Sequence, residues 1–196
     1  MKQWHIAFRF IPHPSAFICR IMLTPILRSN LDLLIVGFNP HPYSWERGKY
    51  YAHGSLWRIM RKAGLGDITD DSQLLNFNYG ITDLVHDKPT REAHEITDAE
   101  YQAGVRKLKS ELNVLRPRIC CFTGKGVYKF FDDRRSTAGI EYGAAGEYDG
   151  IKLYVVPFPS HKWMTDAEKV EHYRGLLSLL EEARAQSCGK LGRRVK

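Results

Sequence analysis

The chain has 196 residues, 43% hydrophobic and 12% aromatic, which suits one folded domain with a sizeable core and excludes a disordered chain. No run of 18 apolar residues occurs, so no membrane-crossing helix and no membrane partner is expected. The net charge of +7 sits at the ends: Lys2, Arg9, Arg20 and Arg28 in residues 1–30, and Lys190, Arg193, Arg194 and Lys196 in residues 189–196, with no acid in either stretch. The body between them is therefore about neutral. Basic ends are compatible with a polyanion partner, and equally with ordinary solvated termini. Cys19, Cys120, Cys121 and Cys188 form no Cys-x-x-Cys pair. Their spacing offers no metal or cluster site, and they read as reduced residues of an intracellular protein.

Residues 1–30 are interrupted by Pro12, Pro14 and Pro25 and read as an irregular basic extension. A targeting peptide is one reading of it, a poorly ordered extension or misassigned start another. Leu31–Phe38 is a short apolar run ended by Asn-Pro, the pattern of a buried strand. A loop rich in Pro, Gly and Tyr follows over 39–54. Ser55–Ala63 then carries Leu56, Trp57, Ile59 and Met60 at helical spacing. Tyr79–Val85 reads as a short strand or turn. Thr97 and Glu100 form a capping box that opens a helix ending at Arg116-Pro117.

Arg118–Phe122 is a second buried strand, followed by Thr123-Gly124-Lys125-Gly126 and a short helix through Phe131. The glycine-rich stretch 133–150 suggests loop and weak strands. Leu153–Val156 is a third buried strand. A second capping box, Thr165 with Glu168, starts a final helix with Val170, Tyr173, Leu176, Leu177 and Leu180 on one face. Apolar strands alternating with amphipathic helices predict a three-layer α/β/α fold. Its central, mostly parallel sheet has about four or five strands. The expected layout is an extension over 1–30, one domain over 31–186 and a basic tail over 187–196.

In such sheets ligands bind beyond the carboxyl ends of the strands. Four segments fall there. Gly37-Phe38-Asn39-Pro40 aims a side chain whose oxygen can accept from a water, although Asn-Pro also starts ordinary turns. Tyr50-Tyr51 in Gly48–Gly54 can stack on a nucleobase or simply fill a loop core. Thr123-Gly124-Lys125-Gly126 suits a phosphate, or is a glycine turn with an exposed lysine; no Walker spacing is present. Pro157–Trp163 gathers Ser160, His161, Lys162 and Trp163 on one stiff loop that could enter a base stack, or pack Trp163 back on the body.

In their order and spacing these segments, together with Tyr79–Val85 and Lys88-Pro89-Thr90, resemble the uracil-DNA glycosylase superfamily, specifically its mismatch-specific uracil/thymine branch. The resemblance covers about residues 31–184. It implies a DNA glycosylase without cofactor or metal, acting as a monomer on duplex DNA with a mismatched or damaged pyrimidine, inside the cell where DNA is. It assigns Asn39 to the attacking water, Phe38, Tyr51 and Thr82 to the base pocket, and Lys125, Ser160, His161 and Lys162 to DNA. Three departures stand out: His41 replaces a glycine, the 52–57 segment is shortened, and His161-Lys162 replaces the family's small residue and its neighbour. The first two predict a changed pocket width, the third a changed opposite-base preference. Two other functions fit parts of the pattern: a non-cutting mismatch sensor of the same fold, and a hydrolase using Ser160 and His161, for which no orienting third group is evident.

Overall fold

The computed structural model describes residues 23–160 and 162–191. Five strands, β1 (Leu33–Gly37), β2 (Tyr79–Asp83), β3 (Ile119–Thr123), β4 (Gly143–Tyr148) and β5 (Ile151–Val156), form one sheet in the order β2-β1-β3-β5-β4. The first four in that order run parallel, and β4 closes the edge antiparallel to β5. The parallel strands are short β-branched and apolar runs buried on both faces, as a helix-covered parallel sheet requires.

Among the described residues there are five α-helices: α1 (Pro42–Arg47), α2 (Ser55–Lys62), α3 (Asp98–Leu115), α4 (Lys125–Phe131) and α5 (Asp166–Leu191). Alternate strand residues split between two cores. Leu33, Ile35, Tyr79, Ile81 and Cys121 pack against α2 and α5, through Trp57, Ile59, Tyr173 and Leu176. Leu34, Val36, Cys120, Phe122 and Val155 pack against α3 and α4, through Val105, Leu108, Val127 and Phe131. The adjacent Cys120 and Cys121 thus face opposite layers, both reduced and buried, and burial pushes both thiols up. This is the three-layer α/β/α arrangement expected.

Both capping boxes form. Thr97 accepts from the Glu100 amide while Glu100 accepts from Thr97 N–H at 2.8 Å, and Thr165 and Glu168 repeat the pattern. The structure differs from the sequence expectation in several places, and α1 itself forms within the stretch 39–54 expected as a loop. Residues 23–30, set outside the domain for their irregularity, lie on it: Leu23 is buried, and Ile26 exchanges two backbone hydrogen bonds with Ile81. At the other end α5 continues to Leu191, through the start of the expected tail. A third capping box, Asp70 with Gln73, opens a 3₁₀ segment at Asp71–Phe77 that apolar periodicity did not mark. Among the described residues, no helix is long and apolar enough to cross a membrane.

Candidate active site

A cleft of about 820 Å³ opens at the carboxyl ends of the parallel strands. It is lined by Phe38, Asn39, Tyr51, Lys125, Ser160 and Lys162 of the expected site residues. His161 lies outside the described residues. Thr82 does not line the cleft: it is buried in the sheet, its hydroxyl donating to the Asp83 carbonyl at 3.4 Å. Its neighbour Asp83 lines the cleft instead. Strand alternation is the reason, since one step along β2 turns a side chain to the other face.

Asn39 lies two residues beyond the end of β1. Its Nδ2 donates to Thr90 Oγ1 at 2.8 Å, to the Pro40 carbonyl at 3.2 Å and to the Lys88 carbonyl at 3.3 Å. Three acceptors fix the amide's orientation, and Oδ1 has no hydrogen-bond partner among the described residues. Thr90 is itself held: its N–H donates to the Pro40 carbonyl and its hydroxyl to the Glu92 carbonyl. Asn39 therefore sits in a bracket made by the Lys88-Pro89-Thr90 segment rather than in an ordinary turn.

Tyr51 forms one wall. Its hydroxyl donates to Thr123 Oγ1 at 3.0 Å, and Thr123 Oγ1 donates to the Val36 carbonyl at 3.1 Å. The phenol is thus tied to the sheet, while its ring meets Trp57 and Phe158, each 6.1 Å away between centroids. Tyr51 takes a left-handed φ of 46°, a conformation a bulky residue adopts only when its surroundings hold it. Those surroundings are Tyr50 N–H donating to buried Asp71, Gly54 N–H donating to the Tyr51 carbonyl, and the Lys49–Asp70 ion pair. The 3₁₀ segment at 71–77 thereby supports the loop that carries the aromatic wall.

Opposite, the Phe38 ring packs against Tyr101 and Phe130 at 5.3 and 6.3 Å. Gly126 makes room for it, since a Cβ there would lie 2.6 Å from Phe38 Cζ. His41, a departure from the family pattern, caps α1: its Nδ1 accepts from Tyr43 N–H. At the rim the His53 ring stacks on Tyr43 at 3.9 Å, with Arg47 over the Tyr43 ring at 3.5 Å.

The cations sit at the mouth. Lys125 begins α4, with Glu141 3.7 Å away and the Tyr142 ring 4.8 Å away; Arg91 and Lys162 also line the opening. The loop after β5 presents Phe158 and Trp163 outward, Trp163 being 92% exposed rather than folded back. From below, α5 holds this loop: Lys169, almost wholly buried, donates to the Pro159 carbonyl at 3.0 Å, and Tyr173 donates to the Pro157 carbonyl at 3.2 Å. Ser160 donates to Ser55 Oγ at 3.4 Å; among the described residues no imidazole or carboxylate bonds it.

Two buried polar groups complete the interior. The Tyr50 hydroxyl has no hydrogen-bond partner among the described residues. The Asp83 carboxyl is 9% exposed, likewise has no hydrogen-bond partner there, and burial pushes it up to about 7. Sequence reasoning passed over Asp83 and read Tyr50 only as a stacking or loop-core residue. The signal available for Asp83 was an acid ending an otherwise apolar strand. Among the described residues, no cluster of three His, Cys, Asp or Glu side chains could hold a metal ion.

An oriented amide, an aromatic wall, a mostly apolar interior and a cationic mouth suit a flipped nucleobase on a phosphate backbone. Residues 25–180, more than half of the chain, match the family model described as Uracil DNA glycosylase superfamily. The chain belongs to the uracil DNA glycosylase superfamily, with DNA as its partner and glycosylase-type chemistry as its activity.

Proposed function

We propose that this chain is a monofunctional DNA glycosylase that hydrolyses the N-glycosidic bond of uracil mispaired with guanine in duplex DNA, acting also on thymine or related damaged pyrimidines. The observation that carries the reading is the Asn39 amide, with Nδ2 committed to three acceptors and Oδ1 left without one. A water accepted there is held by a neutral group, so its contribution is position rather than strong basicity.

The nucleotide must leave the stack to be reached, at a cost of a few kcal/mol that is smaller at a mismatch. The flipped base lies against Tyr51, and backbone amides near Phe38 support the charge that develops on it. The C1′–N1 bond breaks with its electron pair leaving on the base. The water oxygen bonds C1′, and the water's proton passes to the departing base or to solvent. The products are a free pyrimidine and an abasic site. Lys125 and Lys162 serve the phosphates, Ser160 lies beside them, and the loop bearing His161, Phe158 and Trp163 occupies the gap in the duplex.

The test is base release from G·U, G·T and single-stranded uracil substrates. Asn39→Ala is expected to lose roughly a hundredfold or more in single-turnover rate while still binding DNA. Full activity in that variant would overturn the assignment of Asn39. A strand nick without alkali or heat would overturn the monofunctional reading, and binding without any base release would leave a mismatch sensor.

A further inference from the structure

The mouth of the cleft carries a stack of flat groups that the chemistry above does not use. The Tyr43 ring of α1 has the His53 ring on it, 3.9 Å between centroids and 11° from parallel. The Arg47 guanidinium lies 3.5 Å from the same centroid. Two groups that close to one ring centre cannot share a face without overlapping, so Tyr43 is sandwiched between them. The order is therefore Arg47, Tyr43, His53. Arg47 and His53 are exposed, so the stack belongs to neither core. Among the described residues Arg47 has no carboxylate partner and the His53 ring no hydrogen bond. Of the three, His53 lines the cleft, with the His41 ring 5.9 Å away at 66°.

The stack is held in place. His41 caps α1, Pro42 opens it, and Gly48 closes it in the left-handed conformation. Ser44 Oγ accepts from Ala52 N–H at 3.3 Å, which ties the helix to the loop that carries both Tyr51 and His53. A flat ring fixed in advance loses little side-chain freedom when a ligand lands on it.

An aromatic face backed by a cation, at the edge of a cleft that takes a nucleobase, suits a second nucleobase. Such stacking is tolerant of sequence, because every base has a π face. The spacing fits as well. His53 is two residues beyond Tyr51, at most about 7 Å along the chain. Successive bases on a strand are about 3.4 Å apart when stacked, and farther when separated. We propose that the His53 end of this stack is a second base-binding subsite, which takes the nucleobase next to the flipped one when that neighbour is unpaired. A neighbour paired inside a duplex is already stacked and gains nothing from His53. The subsite therefore serves single-stranded or frayed substrates. The proposal rests on the glycosylase reading for the place of the flipped base, and no bond is made or broken at the subsite.

A stack that merely supported the Tyr51 loop would cost every substrate alike when broken, whereas a subsite matters to single strands. The probe is a single-stranded oligonucleotide with a tetrahydrofuran abasic analogue and 2-aminopurine on its 5′ or its 3′ side. 2-Aminopurine loses fluorescence when it stacks, so the wild type quenches it on one side. His53→Ala loses that quenching and binds the probe roughly tenfold more weakly, the scale of one base–aromatic stack. His53→Phe keeps a ring without the imidazole nitrogens; it keeps the quenching and binds within about threefold of the wild type. On a duplex carrying the abasic analogue opposite guanine, all three proteins bind within about twofold of one another, since the neighbours there stay stacked.

Equal quenching by the wild type and His53→Ala on both sides overturns the proposal. So does a His53→Phe protein that binds no better than His53→Ala, or a loss on the duplex equal to that on the single strand. Quenching that depends on His53, with no uracil release by the wild type from any substrate, overturns the glycosylase reading and leaves the subsite standing. Uracil release without such quenching does the reverse.

Discussion

Replacing Thr90 by valine tests whether Asn39 is an oriented catalytic amide or a turn residue. Thr90 Oγ1 accepts the shortest of the three Asn39 bonds, at 2.8 Å, and donates to the Glu92 carbonyl at 3.0 Å. Valine keeps the shape and removes both bonds. Each intramolecular hydrogen bond is worth about 0.5–1.5 kcal/mol net, so the stability cost is about 1–3 kcal/mol, or a few degrees in Tm per kcal/mol for a domain of this size. If the amide's orientation is needed in the transition state, its lost bond also appears in the rate. About 1 kcal/mol corresponds to roughly a fivefold slower single-turnover step, with roughly two- to thirteenfold as the range.

The Lys88 and Pro40 carbonyls remain, so the loss stays well below that of Asn39→Ala. The assay is single-turnover uracil release at saturating enzyme, beside affinity for an abasic-analogue duplex, which should not change. Thr90→Ser restores the oxygen and should restore the rate. A Thr90→Val protein with lower Tm and unchanged rate would show that the bracket only supports the loop. A loss equal to that of Asn39→Ala would also refute the reasoning, because Thr90 would then touch the water itself.

Lys169→Met keeps the volume and removes the buried donor to the Pro159 carbonyl. Release from duplex should fall roughly tenfold, the scale of one hydrogen bond from a charged donor, and release from single-stranded uracil much less; an equal fall in both would refute a duplex-filling role for the 157–163 loop. Gly37→Ala places a methyl on the Asp83 carboxyl. It should cost about 1–3 kcal/mol by overpacking, read as a lowered Tm; wild-type stability would place Asp83 elsewhere.

How much of this was legible depended on whether the signal was local. Strand cores are short apolar runs, and Leu33–Gly37 and Ile119–Thr123 stand where such runs predict them. Thr97 and Thr165 announce their helices because a capping box lies within four residues. Asn39 and Tyr51 were reachable only through the order of several motifs, since each alone reads as a turn or a loop. The choice between Thr82 and Asp83 was a choice between faces. Helices cover both sides of the sheet, so apolar alternation along β2 carries no mark of which side holds the cleft. Thr90's role, and the seat of residues 23–30 beside Ile81, are long-range contacts that no local pattern encodes.

The positions of the amide and the acid form one argument. Asn39 Nδ2 faces two carbonyls and a hydroxyl oxygen, so the group there must donate. An ionised carboxylate at that position would set an oxygen against the Pro40 and Lys88 carbonyls, with nothing cationic among the three partners to offset it. On the proposed reading the water is therefore left to a neutral holder, and the rate comes from positioning and from easing the departure of the base. That departure places negative charge on the pyrimidine. A carboxylate at Asp83 would oppose it, whereas a carboxyl kept neutral by burial does not. The same desolvation that makes Asp83 costly to ionise is what makes it compatible with a departing anion.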